Sequence, residues 1–297
     1  MSDRYDSMST LIAVVDAGSL SAASRKLGMP LATVSRRLSE LEARIGTTLL
    51  HRSARGLTIT DQGAAYIAAC RRIIEDVDEA ERIAAGEFSE PKGLLTLTAP
   101  IVFGRLHVLP ALSAFLAAYP QVSGRLEQTD RRVNFLEEQI DAAIRIGHLP
   151  DSSLRARRLG EVRLVVCASP SYLAKHKRPE QPQDLEQLDC ITFENLMRSE
   201  RWTFNQGRDV REVAIRSRLS VNTAEAAIEA ASTGLGITRV LSYQVKEAVE
   251  EGRLEIILAD HEPEPWPVNI VYRGRSVPQK LRSFIDFAAP LLQSALA

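Results

Sequence analysis

Cysteine is scarce in this 297-residue chain: Cys70, Cys167 and Cys190 are scattered, and none belongs to a CxxC pair. That excludes a disulfide framework and makes reduced thiols the expectation. Catalytic signatures are missing too, with no GxxxxGK[ST], no GxSxG and no HExxH. The stretch "GLGITRV" holds Gly-x-Gly, but it ends a helical pattern and enters a strand-like one, the reverse of a dinucleotide fingerprint. His51, His107, His148, His176 and His261 are too dispersed for metal-ligand spacing. Neither an enzyme nor a metal or other cofactor is expected. The first twenty residues lack the basic region of a secretory signal, and Asp16 interrupts their apolar run. The nearest thing to a membrane span, Leu94 to Tyr119, contains Arg105 and His107 beside Pro100 and Pro110. A span needs about 20 residues with few charges, so the expectation is a soluble, cytoplasmic chain with no membrane partner. Low-complexity tracts and fixed-period repeats are absent as well.

What is present is an uneven distribution of charge. The formal net charge is only −1. Residues 1–60, however, carry eight Lys/Arg against five Asp/Glu, and residues 61–91 carry three against eight. A basic end followed by an acidic segment points to a nucleic-acid partner for the basic part. Composition is otherwise that of an ordinary globular protein, long enough for two or three compact units.

Residues 7–46 read as three short helices. Met8, Leu11, Ile12 and Val15, with Val14 beside them, keep helical spacing in the first until Gly18. Ser21 is the expected N-cap of the second, with Ala22, Ala23 and Leu27 inward and Gly28 closing it. Pro30 suits the first turn of the third, where Val34, Leu38, Leu41 and Ile45 form one stripe ahead of Gly46. "TTLLHRSARGLTIT" reads as a small hairpin around Ser53 to Gly56. Residues 61–86 form a longer helix with Ile67, Cys70, Ile74, Val77, Glu81 and Ala84 at heptad spacing. Such a stripe suits a partner helix, and a helix packed on its own domain is the alternative. After the linker "GEFSEPKG" the texture becomes α/β. Short β-like runs ("LLTLTAP", "AAIRIG", "VRLVVCAS", "CITF", "EVAIRS", "GLGITRV", "RLEIIL", "VNIVY") alternate with helical ones, which predicts parallel sheets flanked by helices in two lobes.

Two short helices joined by "LGMP" fit a helix-turn-helix, whose second helix enters the DNA major groove. Its apolar stripe fixes the opposite face as Ala32, Thr33, Arg36, Ser39, Glu40 and Ala43, flanked by Ser35 and Arg37. Leu31, Ala32, Thr33 and Arg36 lie near the helix N-terminus, where base edges are met. Thr33 suits a thymine methyl or base edge, and Arg36 suits guanine or phosphate. Lys26, Arg37, Arg52 and Arg55 suit phosphate. With Ser21 these make the candidate DNA-contact set; the competing possibility is a solvated basic face.

The ordered series "AVVDAGSLSAASRKLG" and "ATVSRRLSELEARIGTTLLHRSARGLTITDQG" resembles the N-terminal region of LysR-type transcriptional regulators. "DAAIRIG", "CASPSYL", "DLEQLDCITF", "SVNTAEAAIEAASTGLGITRVLSYQV" and "FIDFAAPLL" resemble the effector region of one large subgroup, so the likeness runs through the chain. The resemblance implies an α+β multidomain protein. Residues 1–60 would be a winged helix-turn-helix, 61–90 a dimerising linker helix, and 91–297 a two-lobed α/β effector domain of type 2 periplasmic-binding-protein shape. Lobe I would take about 91–163 and 267–297, and lobe II about 164–266. The implied activity is sequence-specific regulation of transcription by a homo-oligomer, dimer or tetramer, on dyad-symmetric double-stranded DNA. A small-molecule effector and RNA polymerase are the further implied partners. One departure is Pro30-Leu31-Ala32, where many members carry Ser-Gln-Pro; their glutamine-type base contact is absent.

By the same resemblance the effector lies between the lobes and touches Pro100, Ile101, Phe103, Thr129, His148, Asn222, Thr223, Thr238 and Arg239. Many members hold an effector carboxylate with a Ser or Thr hydroxyl in the first of these loops, but here it reads "APIVFG". Either the effector is less anionic, or His148 or Arg239 holds the anion. From the residues themselves, "VNTAEAAIEAA" offers Asn222 as an N-cap and Glu225 at the capping-box position. A helix N-terminus there suits an anion. A solute-binding protein would have no use for residues 1–60, and an enzyme would need a catalytic constellation of which the sequence carries no motif.

Overall fold

The chain divides into two units, Met1–Glu90 and Pro91–Ala297. The computed structural model describes residues 4–53, 56–84, 90–131, 135, 140–149, 154–193, 201–206, 209–274 and 277–296.

In the first unit α1 (Arg4–Ala17), α2 (Leu20–Leu27) and α3 (Leu31–Ile45) enclose a small core of Leu11, Val14, Ala23, Val34, Leu38, Leu41 and Leu49. The buried face of α1 is Ser7, Thr10, Leu11, Ala13 and Val14, while Met8, Ile12 and Val15 are only half-buried. The polar Thr10 tolerates burial because its hydroxyl donates to the Asp6 carbonyl at 2.7 Å. The N-cap of α2 is Ser19, not Ser21. Gly18, at φ +68°, ends α1, and Ser19 follows in extended conformation with its hydroxyl accepting from the Ala22 N–H at 3.2 Å. Ser21 falls inside the first turn. Val34, Leu38 and Leu41 are fully buried, but Ile45 is 37 % exposed because the chain leaves the core at Gly46, φ +77°.

Strands β1 (Leu50–Ser53) and β2 (Gly56–Ile59) form the antiparallel wing. Glu42 pins it to α3, its carboxylate accepting from the N–H groups of Leu49 and Leu50 at 2.8 and 3.1 Å. Thr60 then starts α4 (Asp61–Ala84), its hydroxyl accepting from the Gly63 N–H at 2.9 Å. The helix packs on its own unit: Ile67 and Cys70 are buried, Arg71 pairs with Asp16, and the Tyr5 hydroxyl donates to Asp78 at 3.0 Å. The first two positions of the expected partner-helix seam are therefore spent within the chain. Ile74 and Val77 stay half-buried and Glu81 is exposed, while the side chain of Ala84 lies outside the described residues.

The second unit holds two five-stranded sheets. Lobe I comprises β3 (Gly93–Ala99), α5 (Ile101–Phe103), a π-turn over Gly104–Val108, α6 (Leu109–Ala118), β4 (Val122–Gln128), β5 (Ala142–Ile146) and β6 (Arg155–Val162). Lobe II takes β7 (Leu164–Ala168), α7 (Pro170–Lys175), β8 (Asp189–Phe193), β9 (Arg201–Gln206), β10 (Asp209–Ala214), β11 (Arg216–Val221), α8 (Ala224–Ser232), β12 (Ile237–Leu241), α9 (Ser242–Glu250) and β13 (Glu255–Ile257). The chain returns to lobe I with β14 (Trp266–Tyr272) and α10 (Gln279–Leu296). The strand orders are β4-β3-β5-β14-β6 and β11-β8-β12-β7-β13.

Both sheets are mixed, which corrects the expectation of parallel ones. β14 runs antiparallel to β5 and β6, and β7 antiparallel to β12 and β13. Each antiparallel strand follows from the chain crossing between lobes, at Val162–Leu164 and again before Trp266. The apolar stretch Ile101–Ala118 is long enough to cross a membrane, yet Phe103, Val108, Ala111, Leu112 and Phe115 are buried in the core of lobe I and Val102 in that of lobe II. Phe115 meets Phe284 of α10 edge-on, with ring centroids 5.4 Å apart. The run "EVAIRS" splits between β10 and β11, and the hairpin β9–β10 covers one face of lobe II with Trp202 and Phe204.

Candidate DNA-reading face and sensor site

The core stripe of α3 turns its opposite side outward. Ala32, Arg36, Ser39, Glu40 and Ala43 are exposed, Leu31 is 46 % exposed, and Thr33 and Ser35 are half-buried. The Arg36 side chain is 69 % exposed, and among the described residues it pairs with Glu40, one turn away at 3.3 Å. Arg37 is different. Its guanidinium reaches back to Asp6 at 3.2 Å and to the Thr10 hydroxyl at 3.5 Å, locking α3 to α1. A role at phosphate would have to compete with those bonds. Lys26 and Ser21 are exposed on α2, while the side chain of Arg52 and all of Arg55 lie outside the described residues.

In the second unit the two lobes meet where α5 and α8 begin. Arg105, in the π-turn, bridges to Glu225 in the first turn of α8 at 3.0 Å. Pro100 precedes α5, and Thr129 stands beside it, its N–H donating to the Ala99 carbonyl at 2.9 Å. The first free N–H of α5, that of Ile101, is occupied by the Asp130 carboxylate at 3.1 Å. Burial pushes the Asp130 pKa up; the Ile101 bond opposes this, and the Glu225 charge adds to it. On α8 the N-cap is Thr223, whose hydroxyl accepts from the Ala226 N–H at 3.2 Å; Asn222 lies one residue outside, and Glu225 serves the bridge instead of a capping box.

Phe103, Thr238 and Arg239 do not face an open cleft. Phe103 is fully buried, its ring 4.8 Å from His107 and 5.4 Å from Tyr243 of α9. Burial lowers the His107 pKa, assisted by Lys246. The Thr238 hydroxyl donates to the Ile191 carbonyl at 3.1 Å within the sheet. Arg239 is 7 % exposed beneath the β9–β10 hairpin, donating to the Thr203 carbonyl at 3.0 Å with Trp202 5.0 Å away. His148 is exposed in the loop after β5. Pro100, Ile101 and Thr129 thus gather at one lobe face and Asn222 and Thr223 at the other. Sequence reasoning missed Asp130 and Arg105: Arg105 and Glu225 are 120 positions apart, and no local pattern marks the pair.

Replacing Asp130 by Asn keeps an acceptor for the Ile101 N–H and removes a buried charge. A carboxyl whose folded pKa is raised contributes stability below its unfolded pKa and loses it as pH rises through the folded value. Asp130→Asn should therefore raise the melting temperature of the second unit at neutral pH, with the gain shrinking as pH falls through the raised folded value and gone below the ordinary carboxylate pKa. Calorimetry across pH measures this, and an equal shift at all pH values would contradict it. Among the described residues no cluster of three or more His, Cys, Asp or Glu is placed to hold a metal ion.

A three-helix unit with a wing and an exposed helix face, joined to a two-lobed α/β unit, defines a DNA-binding regulator with a sensor domain. Residues 5–64 match the model of the bacterial regulatory helix-turn-helix proteins of the lysR family, and residues 88–293 match that of the LysR substrate binding domain. An HTH-type transcriptional regulator of Xanthomonas campestris pv. campestris (strain 8004) is 34% identical over 290 residues, covering 95% of this chain and 84% of the relative. The regulator CrgA of Neisseria meningitidis serogroup B is 32% identical over 294 residues, 97% of this chain and 96% of CrgA. A solved structure of CrgA, 30% identical, superposes with a TM-score of 0.62 over 97% of this chain and 98% of that one. The chain belongs to the LysR family of transcriptional regulators. Its relatives are named as regulators, not enzymes.

Proposed function

We propose that α3 reads DNA through Leu31, Ala32, Thr33 and Arg36, with Ser21, Ser35, Lys26, Arg52 and Arg55 on sugar and phosphate. The observation that carries this is the exposed Arg36 beside the fully buried Val34/Leu38/Leu41 stripe. That stripe holds the helix rigidly while its polar side stays open. Arg37 acts mainly by fixing α3 against α1. Residues 1–60 are the DNA-binding part, 61–90 the linker helix, and 91–297 the effector part, in a cytoplasmic homo-oligomer. Dyad-symmetric sites suit such an assembly, since two copies present two reading helices. RNA polymerase is the partner through which bound regulator would act on a promoter.

The effector sits between the lobes against Pro100, Ile101, Thr129, His148, Asn222 and Thr223. Phe103, Thr238 and Arg239 shape the walls from behind. With Asp130 already on the Ile101 N–H, that helix terminus offers little to an effector carboxylate. The Arg105–Glu225 bridge crosses the lobes, so a bound molecule that strengthens or breaks it shifts their relative placement. A gel-shift assay with the upstream region of its own or a neighbouring gene tests the regulator reading. Site-selective, salt-sensitive binding is the expected result. Binding that ignores sequence would contradict the reading face.

A further inference from the structure

A cavity of about 240 Å³ opens on lobe I, and its lining is strongly basic. Arg155 and Arg157 project from β6, Arg282 from the first turn of α10, and Tyr272, Val277 and Ile285 complete the walls. β6 is the edge strand of its sheet, and Arg155 pairs in register with Tyr272. Among the described residues one acid faces the arginines: Asp286, which binds Arg157 at 2.9 Å. The guanidinium groups of Arg155 and Arg282 have no hydrogen-bond or ion-pair partner among the described residues. Residues 273–285 carry four cations and no acid. Two guanidinium groups without a partner among the described residues therefore converge on one concavity, beside the positive end of an 18-residue helix.

We propose that this cavity binds a small dianionic oxyanion, a phosphate, phosphomonoester or dicarboxylate, as a second ligand site of the effector domain. A guanidinium fork presents paired N–H donors that match two oxygens of one such group, and Arg155 and Arg282 offer two forks from different elements. Binding would tie the edge strand β6 to the start of α10. Charges placed only to discourage edge-to-edge pairing of β6 would point outward along the strand. They would not need Arg282 from a helix. The volume lies below the roughly 300 Å³ at which drug-sized pockets begin, which limits the ligand to a few heavy atoms beyond the anion.

Titration calorimetry on the full chain tests the site, with inorganic phosphate, glycerol phosphate and succinate each compared with sodium chloride at equal ionic strength. Saturable binding of at least one dianion is expected, and the three arms show which source of the charge fits. Arg155→Gln/Arg282→Gln should weaken it by at least about tenfold. Asp286→Asn, which releases Arg157 from its internal partner, should tighten it about two- to fivefold. Arg36→Ala, on the DNA-binding unit, should leave it unchanged. Binding no better than chloride, or insensitive to Arg155→Gln/Arg282→Gln, overturns the proposal. Weaker binding in Asp286→Asn does the same, and decides the matter alone if the double variant does not fold.

Discussion

Leu38→Ala should destabilise the first unit by about 2–5 kcal/mol, the usual cost of emptying a fully buried leucine site. Leu38 is 1 % exposed and sits in the middle of the α3 stripe, between Val34 and Leu41, in a core shared with Leu11, Val14 and Ala23. A unit this small has little stability in reserve, since short domains bury a smaller share of their unfolded surface than long ones. The loss is therefore a large share of the total, and DNA binding should fall with it. The second unit has separate cores around Phe103, Phe115 and Phe284 and around Val165, Ile191 and Val240, so its own melting should stay in place. Scanning calorimetry of the variant reads both units at once. An unchanged first transition, or an equal fall in both, would contradict the packing described.

Where the sequence was easy to read, one local cause determined the outcome. Val34, Leu38 and Leu41 share a period that a helix satisfies only by burying one side, and Gly28 and Gly46 close α2 and α3 in left-handed conformation. The caps were harder. "GSLS" offers Ser19 and Ser21, and "VNTA" offers Asn222 and Thr223; both members of each pair are capable acceptors. The deciding fact is where the preceding element stops, Gly18 in one case and the end of β11 at Val221 in the other. Heptad spacing on α4 was ambiguous for a related reason. Ile67 and Cys70 at that spacing suit a partner helix or α1 equally, and the structure buries them within the unit.

The lobe boundary was nearly illegible. Its contacts join Arg105 to Glu225 and Phe103 to Tyr243, and no period connects residues so far apart. The β9–β10 hairpin was legible only in part. "EVAIRS" marks part of β10 as β-like, but β9 offers only Trp202 and Phe204, too short an alternation to mark a strand. That hairpin covers Arg239, whose guanidinium donates to the Thr203 carbonyl of β9.

Arg36→Ala should leave folding intact and remove sequence discrimination. The side chain is 69 % exposed and its ion pair with Glu40 is a surface pair one turn apart, which contributes a few tenths of a kcal/mol at most. A bidentate contact with a base edge is worth about 1–3 kcal/mol, so specific affinity should fall roughly 5- to 150-fold while non-specific affinity changes little. Two neighbours separate this effect from others. Lys26→Ala, at an exposed cation on α2, should weaken specific and non-specific binding alike and reduce the dependence on salt by about one unit of slope. Arg37→Ala should lose its bonds to Asp6 and Thr10, so any fall in DNA binding should come with a lower melting temperature of the first unit. Competition gel shifts over a range of salt concentrations, alongside calorimetry, distinguish the three patterns. If Arg36→Ala selects its site as well as the parent chain, the reading face has been placed on the wrong side of α3. If Arg37→Ala loses DNA binding with no change in melting, Arg37 meets phosphate after all, and its bonds to α1 open when DNA arrives.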